Sequence, residues 1–412
     1  MSTQAFSFRY FLITIGLSNL AMGLQKVFYP WLVVGVLDLS PSHLGFAQLA
    51  VLLPSLLFVL PGGVVSDRRH RGSWLVLLYL LYFIPVGGLS FLFWTGTVTF
   101  TQLIIFGTLF GTITAFVQPA RESLIGYAAP ELMHQAVAKV MVVQFIAQGL
   151  GFLLAGQLDI IDPLHLLSFQ LLVFLLSSLF IKRCHPFDPE VEKNLPPKPS
   201  SSLKNLVNEL REGLVLFRHN KGLLHLIFIV FATGFLAFGV YLVGVPLIAK
   251  QLYGGGATLY AALQIVFTLG IISVNFGVMN LSAMFLNAGR LMVLSFLVRG
   301  TLVALVALKP SRWLLFPLIF IWGVFSGLSM TLGRTILHNE VPDNMRSRAA
   351  SIYQLCLYGG APLGALFCGL TVGWIGLTDT FFAIATVTLV LSIITAMYSP
   401  LWHVKSVQPV KA

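Results

Sequence analysis

The feature that most constrains this chain is a series of long apolar runs that follow one another from about residue 9 to about residue 402. A transmembrane helix needs about 20 mostly apolar residues to cross a hydrocarbon core about 30 Å thick. Of the 412 residues, 57% are hydrophobic and 9% are charged, against about a quarter charged in soluble domains. The runs are continuous and do not alternate, as transmembrane strands would. The predicted fold class is therefore an all-α membrane protein, embedded in a lipid bilayer.

The runs predict twelve membrane helices, which puts both termini on one side of the membrane. Most of the 25 lysines and arginines stand on that side, whereas Lys250, Lys309 and Arg312 stand on the other. Because Lys and Arg are retained in the cytoplasm, both termini are predicted to be cytoplasmic. The net charge of +11 is thus explained by the cytoplasmic segments that orient the chain in the membrane, and it does not indicate nucleic acid as a partner. The expected helices are 9–37, 42–65, 74–95, 100–119, 136–158, 162–182, 223–250, 257–280, 289–308, 312–336, 348–375 and 379–402.

Nothing in the sequence indicates an enzyme, a metal site or a cofactor. The three cysteines are odd in number and show no CxxC spacing. There is no GxxxxGK[ST] loop for phosphate and no HExxH. Energy for any transport is therefore expected from a gradient and not from ATP hydrolysis by this chain.

A polar segment at the centre separates two halves of six helices each. It opens with a stretch rich in proline and serine, 186–202, and continues as an amphipathic stretch predicted to lie as a helix on the membrane surface. The predicted domains are a bundle over 1–182, a cytoplasmic linker over 183–222, a bundle over 223–402 and a cytoplasmic tail over 403–412.

The two halves repeat each other weakly. Three residues recur in identical form 213 positions later, as the pairs Gly151 and Gly364, Gly156 and Gly369, and Arg121 and Arg334. Duplicated halves around a central site are a transporter architecture.

The stretch GGVVSDRRHRG, residues 62–72, concentrates charge between predicted helices 2 and 3. It resembles the G-x-x-x-D-R-x-G-R-R motif of the major facilitator superfamily, with His70 where a glycine usually stands. Other stretches, such as QPARESLIGYAAPE, VPDNMRSRAASIYQ and GGAPLGALFCG, resemble the bacterial branch of macrolide-efflux proteins and the enterobactin exporter. The resemblance covers nearly the whole chain and implies two pseudo-symmetric six-helix bundles in a bacterial inner membrane. The residues that match the motif are Gly63, Asp67, Arg68 and Arg71.

The resemblance implies a gating role for this motif. In the superfamily the aspartate meets the cytoplasmic start of helix 11 and a basic residue of helix 4. Asp67 is therefore expected near Arg348 and Ala349, with Arg121 as its ion partner. An acid suits a helix N-terminus, whose free amides attract negative charge. The corresponding loop of the second half, MNLSAMFLNAGR, has no acid, so this latch is expected to be asymmetric.

Polar residues inside the spans are candidates for binding substrate or coupling ion, because a charge near the bilayer centre costs about 2.5 kcal/mol or more. Lys26 lies in helix 1, which lines the central cavity in the superfamily; alternatively it snorkels outward or pairs with Asp38. For the glutamines, packing between helices is an equal alternative. Arg299 lies in helix 9, which the resemblance places at the periphery of the fold, so a structural pairing or a tilted helix is expected for it in preference to substrate contact. The candidates are Gln25, Lys26, Gln144, Gln148, Tyr241, Gln264, Asn275, Arg334, Gln354 and Tyr358.

None of the fourteen acids lies deep in a predicted span. Proton-driven carriers commonly use a membrane-embedded carboxylate as the relay. If protons are the coupling ion, Asp67, Glu122, His225 or Lys26 itself must contribute. A cavity with a lysine and no carboxylate favours an anionic or neutral amphipathic small molecule.

Glycines in helices 5 and 11 are expected to let neighbouring helices approach closely and slide. They are Gly149, Gly151, Gly156, Gly360, Gly364 and Gly369.

Three functions fit these patterns. The first is a monomeric secondary transporter that exports a siderophore-like or drug-like molecule by alternating access in exchange for protons. The second is an importer or facilitator on the same fold. The third is a non-transporting receptor or assembly factor, for which the chain offers only the linker of roughly 40 residues as a docking surface.

Overall fold

The computed structural model describes residues 8–68, 71–128, 133–184, 211, 213–218, 220–278, 287–342 and 345–404. Across these residues the regular structure is helical and contains no strand. Twelve of the helices within them are long and apolar enough to cross a membrane. The predicted all-α membrane fold and the number of spans are confirmed.

We number the membrane helices α1 to α12 in chain order. Several helices continue past the predicted apolar ends into charged sequence, as α2 does to Arg68 and α4 to Ala128. Leaving the apolar run does not end a helix, because backbone hydrogen bonding continues without an apolar environment. The bounds are α1 Phe8–Trp31, α2 Pro41–Arg68, α3 Arg71–Leu81 with Phe83–Thr95, α4 Phe100–Ala128, α5 Met133–Ala155, α6 Pro163–Cys184, α7 Lys221–Leu252, α8 Ala257–Val278, α9 Ala288–Ala307, α10 Arg312–Glu340, α11 Arg346–Ile375 and α12 Leu377–Tyr398.

Within the described residues, three wider π-helical turns interrupt the regular helices. One, Leu32–Val36, continues α1, and two lie within α7, at Thr233–Gly239 and Ile248–Leu252. π-helical turns re-aim side chains and frequently occur at functional sites. The turn that starts at Thr233 is therefore a feature of interest for the site.

The chain divides into two compact units. Unit 1 comprises Met1–Leu39, Phe46–Leu203 and Gly255–Ala262, and unit 2 comprises Ser40–Gly45, Lys204–Gly254 and Leu263–Ala412. The division does not fall at the linker alone. The first turn of α2 is assigned to unit 2, and the first turn of α8 is assigned to unit 1.

In unit 1, α1 is the central helix and packs most extensively on α5 and α6. Two glycines make the crossing of α1 and α5 close. A Cβ atom on Gly23 would collide with the backbone of Gln148, and one on Gly151 would collide with the backbone of Leu20. Small residues allow helix backbones to approach closely within a bilayer.

In unit 2, α9 packs against α10 and α12, and the π-helical turn of α7 packs against α11. The α7–α11 contact is again close because of glycines. A Cβ atom on Gly364 would collide with the carbonyl of Phe235, and one on Gly234 with the carbonyl of Leu357. This tight contact holds the start of the π-helical turn beside α11.

Of the predicted amphipathic linker helix, residues 213–218 are described and are helical. Phe217 is fully buried, whereas Leu214 is 58% exposed. Phe217 is therefore packed within the protein, whereas Leu214 is not covered by it; the predicted location of this helix on the membrane surface stays a prediction. Most other residues of that predicted helix lie outside the described ranges.

Candidate functional site

A polar cluster in unit 1 is built around Lys26 of α1. Its Nζ donates a hydrogen bond to Oε1 of Gln148 on α5, at 3.2 Å. Lys26 is exposed, although its neighbours Gln25 and Val27 are buried. The close crossing of α1 and α5 is what brings the ammonium group to the glutamine. Two residues that the sequence proposed separately are thus brought together.

Gln25 faces a different helix from Lys26. Its Oε1 accepts a hydrogen bond from Nε2 of Gln170 on α6, at 3.2 Å, and the same Nε2 donates to the carbonyl of Ala21 at 3.1 Å. Nε2 of Gln25 and Oε1 of Gln170 are buried without a partner. Gln25 therefore links α1 to α6. Gln170 was missed in the sequence, where a glutamine inside the apolar run of helix 6 was the available signal.

A second cation adds positive charge to unit 1. Arg121, half-buried on α4, interacts electrostatically with Lys26 and with the tyrosines Tyr79 and Tyr82 of α3. Neither Lys26 nor Arg121 forms an ion pair with any residue that the structure describes. The nearest acid in sequence, Glu122, is exposed and accepts a hydrogen bond from Gln118 at 3.4 Å. The arrangement is suited to an anion.

An acid that the sequence did not single out anchors the other end of this bundle. Oδ1 of Asp159, in the loop between α5 and α6, accepts a hydrogen bond from the indole of Trp31 at 3.1 Å. Its Oδ2 accepts one from the backbone amide of Ala257, the first residue of α8, at 2.6 Å. The carboxylate therefore caps α8, in the way that acids stabilise helix N-termini. An acid just beyond a predicted helix was the signal that could have found it.

Unit 2 contains a cation deeper in the protein than Lys26. Arg299 of α9 is 2% exposed. Its Nη2 donates to the hydroxyl of Thr233 on α7 and to that of Ser329 on α10, each at 3.2 Å. Its Nε donates to the carbonyl of Ser295, at 3.2 Å. The sequence predicted a structural pairing for Arg299; the partners found here are hydroxyls and a carbonyl.

Beside Arg299 is a narrow cleft with aromatic walls. Tyr241, Phe267 and Trp322 form one wall, with ring centroids of Tyr241 and Phe267 3.9 Å apart. The hydroxyl of Tyr241 donates a 2.5 Å hydrogen bond to Oε1 of Gln264. Tyr358 of α11 also lines the cleft. Of the proposed candidates in unit 2, Tyr241 and Tyr358 thus come together, and Gln264 positions Tyr241.

The sequence comparisons agree with this architecture. The family model described as "Transmembrane secretion effector" matches residues 2–411. The chain belongs to this family.

Two curated relatives and one solved structure resemble this family member. The "Staphyloferrin A transporter" of Staphylococcus aureus is 22% identical over 393 residues, covering 94% of each chain. The "Uncharacterized MFS-type transporter YkuC" of Bacillus subtilis is 25% identical over 314 residues, covering 70% of this chain and 67% of the relative. The nucleoside transporter NupG superposes with a TM-score of 0.74 at 13% identity, covering 95% of this chain and 98% of that one. The expected membership of the major facilitator superfamily is confirmed.

The other candidate residues of this transporter lie apart from the two clusters or outside the description. Gln144 is half-buried one turn before Gln148, and Arg334 and Gln354 are exposed. The side chain of Asn275 is outside the described part. His225, considered for proton coupling, has its Nδ1 2.6 Å from the hydroxyl of Ser399.

The predicted gate stays a prediction. Asp67 and Arg68 lie in the last turn of α2, and Arg71 begins α3, but the side chains of all three are outside the description. Gly63 has no atom within 4 Å of where a Cβ would stand. At the start of α11, where Asp67 is expected to make its contact, Nη1 of Arg348 donates a hydrogen bond to the sulfur of Met345 at 3.1 Å.

The helix-packing glycines divide into two groups. A Cβ atom on Gly149 would meet no neighbouring segment within 4 Å, so the close approach expected there is absent. A Cβ atom at any of the other five would meet a neighbouring segment at less than 3 Å, namely Gly151, Gly156, Gly360, Gly364 and Gly369.

Proposed function

We propose that this chain is a secondary active transporter that works by alternating access and exports a small amphipathic anion or neutral molecule. We further propose that it acts as a monomer in the bacterial inner membrane, with both termini in the cytoplasm and protons as coupling ion. The description of the family as secretion effectors supports export. The staphyloferrin A transporter among its relatives supports a siderophore-like cargo.

The observation that carries the cargo class is the hydrogen bond between Lys26 and Gln148. It holds an ammonium group, exposed among buried neighbours, inside a membrane helix. Arg121 adds a second positive charge, and no described carboxylate pairs with either. Bringing a cation beside two unneutralised cations is unfavourable, whereas an anion gains favourable charge-assisted hydrogen bonds. Anionic cargo is therefore the best match.

Proton coupling has to work without a carboxylate in the middle of a span. Among the described acids, Glu122 is near the end of α4, Asp38 and Asp159 lie between helices, and Asp162, Glu340 and Asp379 lie at or beside helix ends. Lys26 attracts an anion only while it holds its proton, so protonation and anion binding at this residue favour each other. Asp67, Glu122 and His225 are the alternatives that the sequence raised for carrying the coupling proton.

The experiment is transport by the purified protein in proteoliposomes with an imposed pH gradient. A radiolabelled carboxylate siderophore serves as anionic probe, and ethidium serves as cationic probe. Sidedness is set by comparing inside-acid with outside-acid vesicles. We expect gradient-dependent movement of the anion and little movement of ethidium. Movement of ethidium alone would contradict the cargo class, and movement of the anion down its own gradient without effect of pH would contradict proton coupling.

A further inference from the structure

Arg299 is a buried cation whose partners are all neutral. It donates to two hydroxyls and one carbonyl, and its guanidinium stacks over the ring of Phe296 at 5.3 Å. It forms no ion pair with any residue in the described ranges. Ionisable residues within membrane segments usually pair with an opposite charge or mark a functional site. The charge of Arg299 is therefore available to a ligand.

Part of the Arg299 guanidinium group makes no hydrogen bond to the described residues. An arginine carries five N–H donors, and Nε and Nη2 use three of them on Ser295, Thr233 and Ser329. Nη1 has no hydrogen bond in the described chain, and it is not among the atoms sealed from solvent without a partner, which are Gln25 Nε2, Gln170 Oε1 and Tyr79 hydroxyl oxygen. Nη1 is therefore not fully sealed from solvent, and no described residue uses its two donors.

The two hydroxyls that hold Arg299 are also unusual. Other buried hydroxyls of unit 2 donate to a carbonyl of the preceding helical turn, as Thr388 and Ser392 do. Thr233 and Ser329 make no such bond in the described structure and accept from Arg299 instead. Their own O–H groups thus remain available as donors. Nη1 and these two O–H groups are thus hydrogen-bond donors that no described residue uses.

Arg299 and Thr233 line the cleft walled by Tyr241, Phe267 and Trp322, whereas Ser329 contacts Arg299 without lining that cleft. Its free volume for water-sized molecules is about 50 Å³, where about 10–15 Å³ is enough for one water. A carboxylate-sized group fits, and a whole siderophore does not. Tyr358 lines the cleft and is 43% exposed, so the cleft opens to the outside of the protein next to Tyr358.

We propose that Arg299 and Thr233 form a binding site for one carboxylate group of a small organic anion, with Ser329 holding the guanidinium group and the aromatic wall contacting the adjoining carbon skeleton. Arginine presents fixed donors that suit carboxylate oxygens. The proposal rests on the proposed function only in taking the transported anion as the natural source of that carboxylate. An inorganic anion such as chloride is the other source of the same charge.

The test measures binding by the purified full-length protein in nanodiscs, without a gradient. Benzoate and benzamide are the probes, since they match in size and differ in charge. We expect benzoate to bind about tenfold or more tightly than benzamide, as measured by calorimetry and by quenching of tryptophan fluorescence. Arg299→Gln should abolish this preference, and Arg299→Lys should keep part of it. Arg290→Gln, on the exposed end of the same helix, should leave it unchanged.

Equal binding of benzoate and benzamide, or unchanged preference in a folded Arg299→Gln variant, would overturn the site. Chloride that displaces benzoate at equal concentration would overturn the assignment to carboxylate. If Arg299→Gln does not fold, Arg299→Lys and Thr233→Ala carry the test, each expected to weaken benzoate binding more than benzamide binding. Because binding is measured without transport, a protein that shows the benzoate preference but moves no anion in proteoliposomes would contradict the proposed function and leave this site intact.

Discussion

At the scale of single residues, the chain holds two cations inside membrane helices on neutral partners. Lys26 in unit 1 relies on the amide of Gln148, and Arg299 in unit 2 relies on two hydroxyls and a carbonyl. Arg299 is 2% exposed, and a charge taken out of water costs several kcal/mol unless it is paired. Lys26 is exposed but lies inside a membrane helix, where a charge is also costly. Retaining two such charges is explained if each receives an anion during the transport cycle.

Lys26→Met should reduce transport of an anionic probe by about tenfold or more, because a hydrogen bond to a charged group contributes about 1.5–3 kcal/mol. The methionine keeps an unbranched chain of similar length without the charge. The measurement is initial rate against concentration in proteoliposomes. Lys139→Met is the matched control, since Lys139 is an exposed lysine on α5. If both variants lose the same transport activity, or if Lys26→Met loses none, Lys26 does not bind the anion and only snorkels to the membrane interface.

Asp159→Ala should lower the apparent unfolding temperature, equivalent to about 1–2 kcal/mol, because it removes the cap on α8 and leaves the buried indole of Trp31 without its acceptor. Asp159→Asn should cost less, since asparagine also caps. Asp379→Ala, in the first turn of α12, is the comparison. The idea fails if Asp159→Ala unfolds at the same temperature as Asp379→Ala and the unchanged protein.

At the scale of helices, glycine placement decides which helices can meet. The α1–α5 crossing depends on Gly23 and Gly151, and the α7–α11 crossing depends on Gly234 and Gly364. Each crossing positions a polar cluster: the first aligns Lys26 with Gln148, and the second holds the π-helical turn whose first residue, Thr233, contacts Arg299. Packing and the candidate sites are therefore linked.

Gly151→Ala should destabilise the protein by about 1–3 kcal/mol, because the new methyl group would collide with the backbone of α1. It should also weaken anion transport by separating Lys26 from Gln148. Gly149→Ala, two residues away, meets nothing within 4 Å and should be neutral or slightly stabilising. Thermal unfolding and transport rates of the two variants give the comparison. Equal stability of the two would show that close packing of α1 on α5 is not required.

At the scale of the whole molecule, charge is concentrated where gating is expected. The GGVVSDRRHRG stretch carries Asp67 among arginines, and the second half has no acid in the corresponding loop. By resemblance to the superfamily, Asp67 is expected to latch the two halves on the cytoplasmic side.

Asp67→Asn should therefore impair transport while the amount of protein inserted in the membrane stays unchanged. The asparagine keeps the shape and loses the charge that an ion pair and a helix N-terminus require. Arg69→Gln is the control, since Arg69 does not match the motif. Transport and membrane abundance are measured together in cells and in vesicles. Full activity of Asp67→Asn would remove the latch from the mechanism.

The amino-acid sequence by itself determined that the chain is a twelve-helix transporter of the major facilitator superfamily. Apolar length, the motif and the family match depend on local composition and order. The sequence also named Lys26, Gln148, Tyr241 and Tyr358, because polar groups in apolar runs stand out. Only the tertiary structure decided which of them meet, because contacts across helices depend on backbone crossings and side-chain direction. It joined Lys26 to Gln148 and turned Gln25 toward Gln170. The structure also showed that Gly151 lies at a close helix crossing while Gly149 does not, and it placed Arg299 beside a cleft. No periodicity along the chain predicts these contacts.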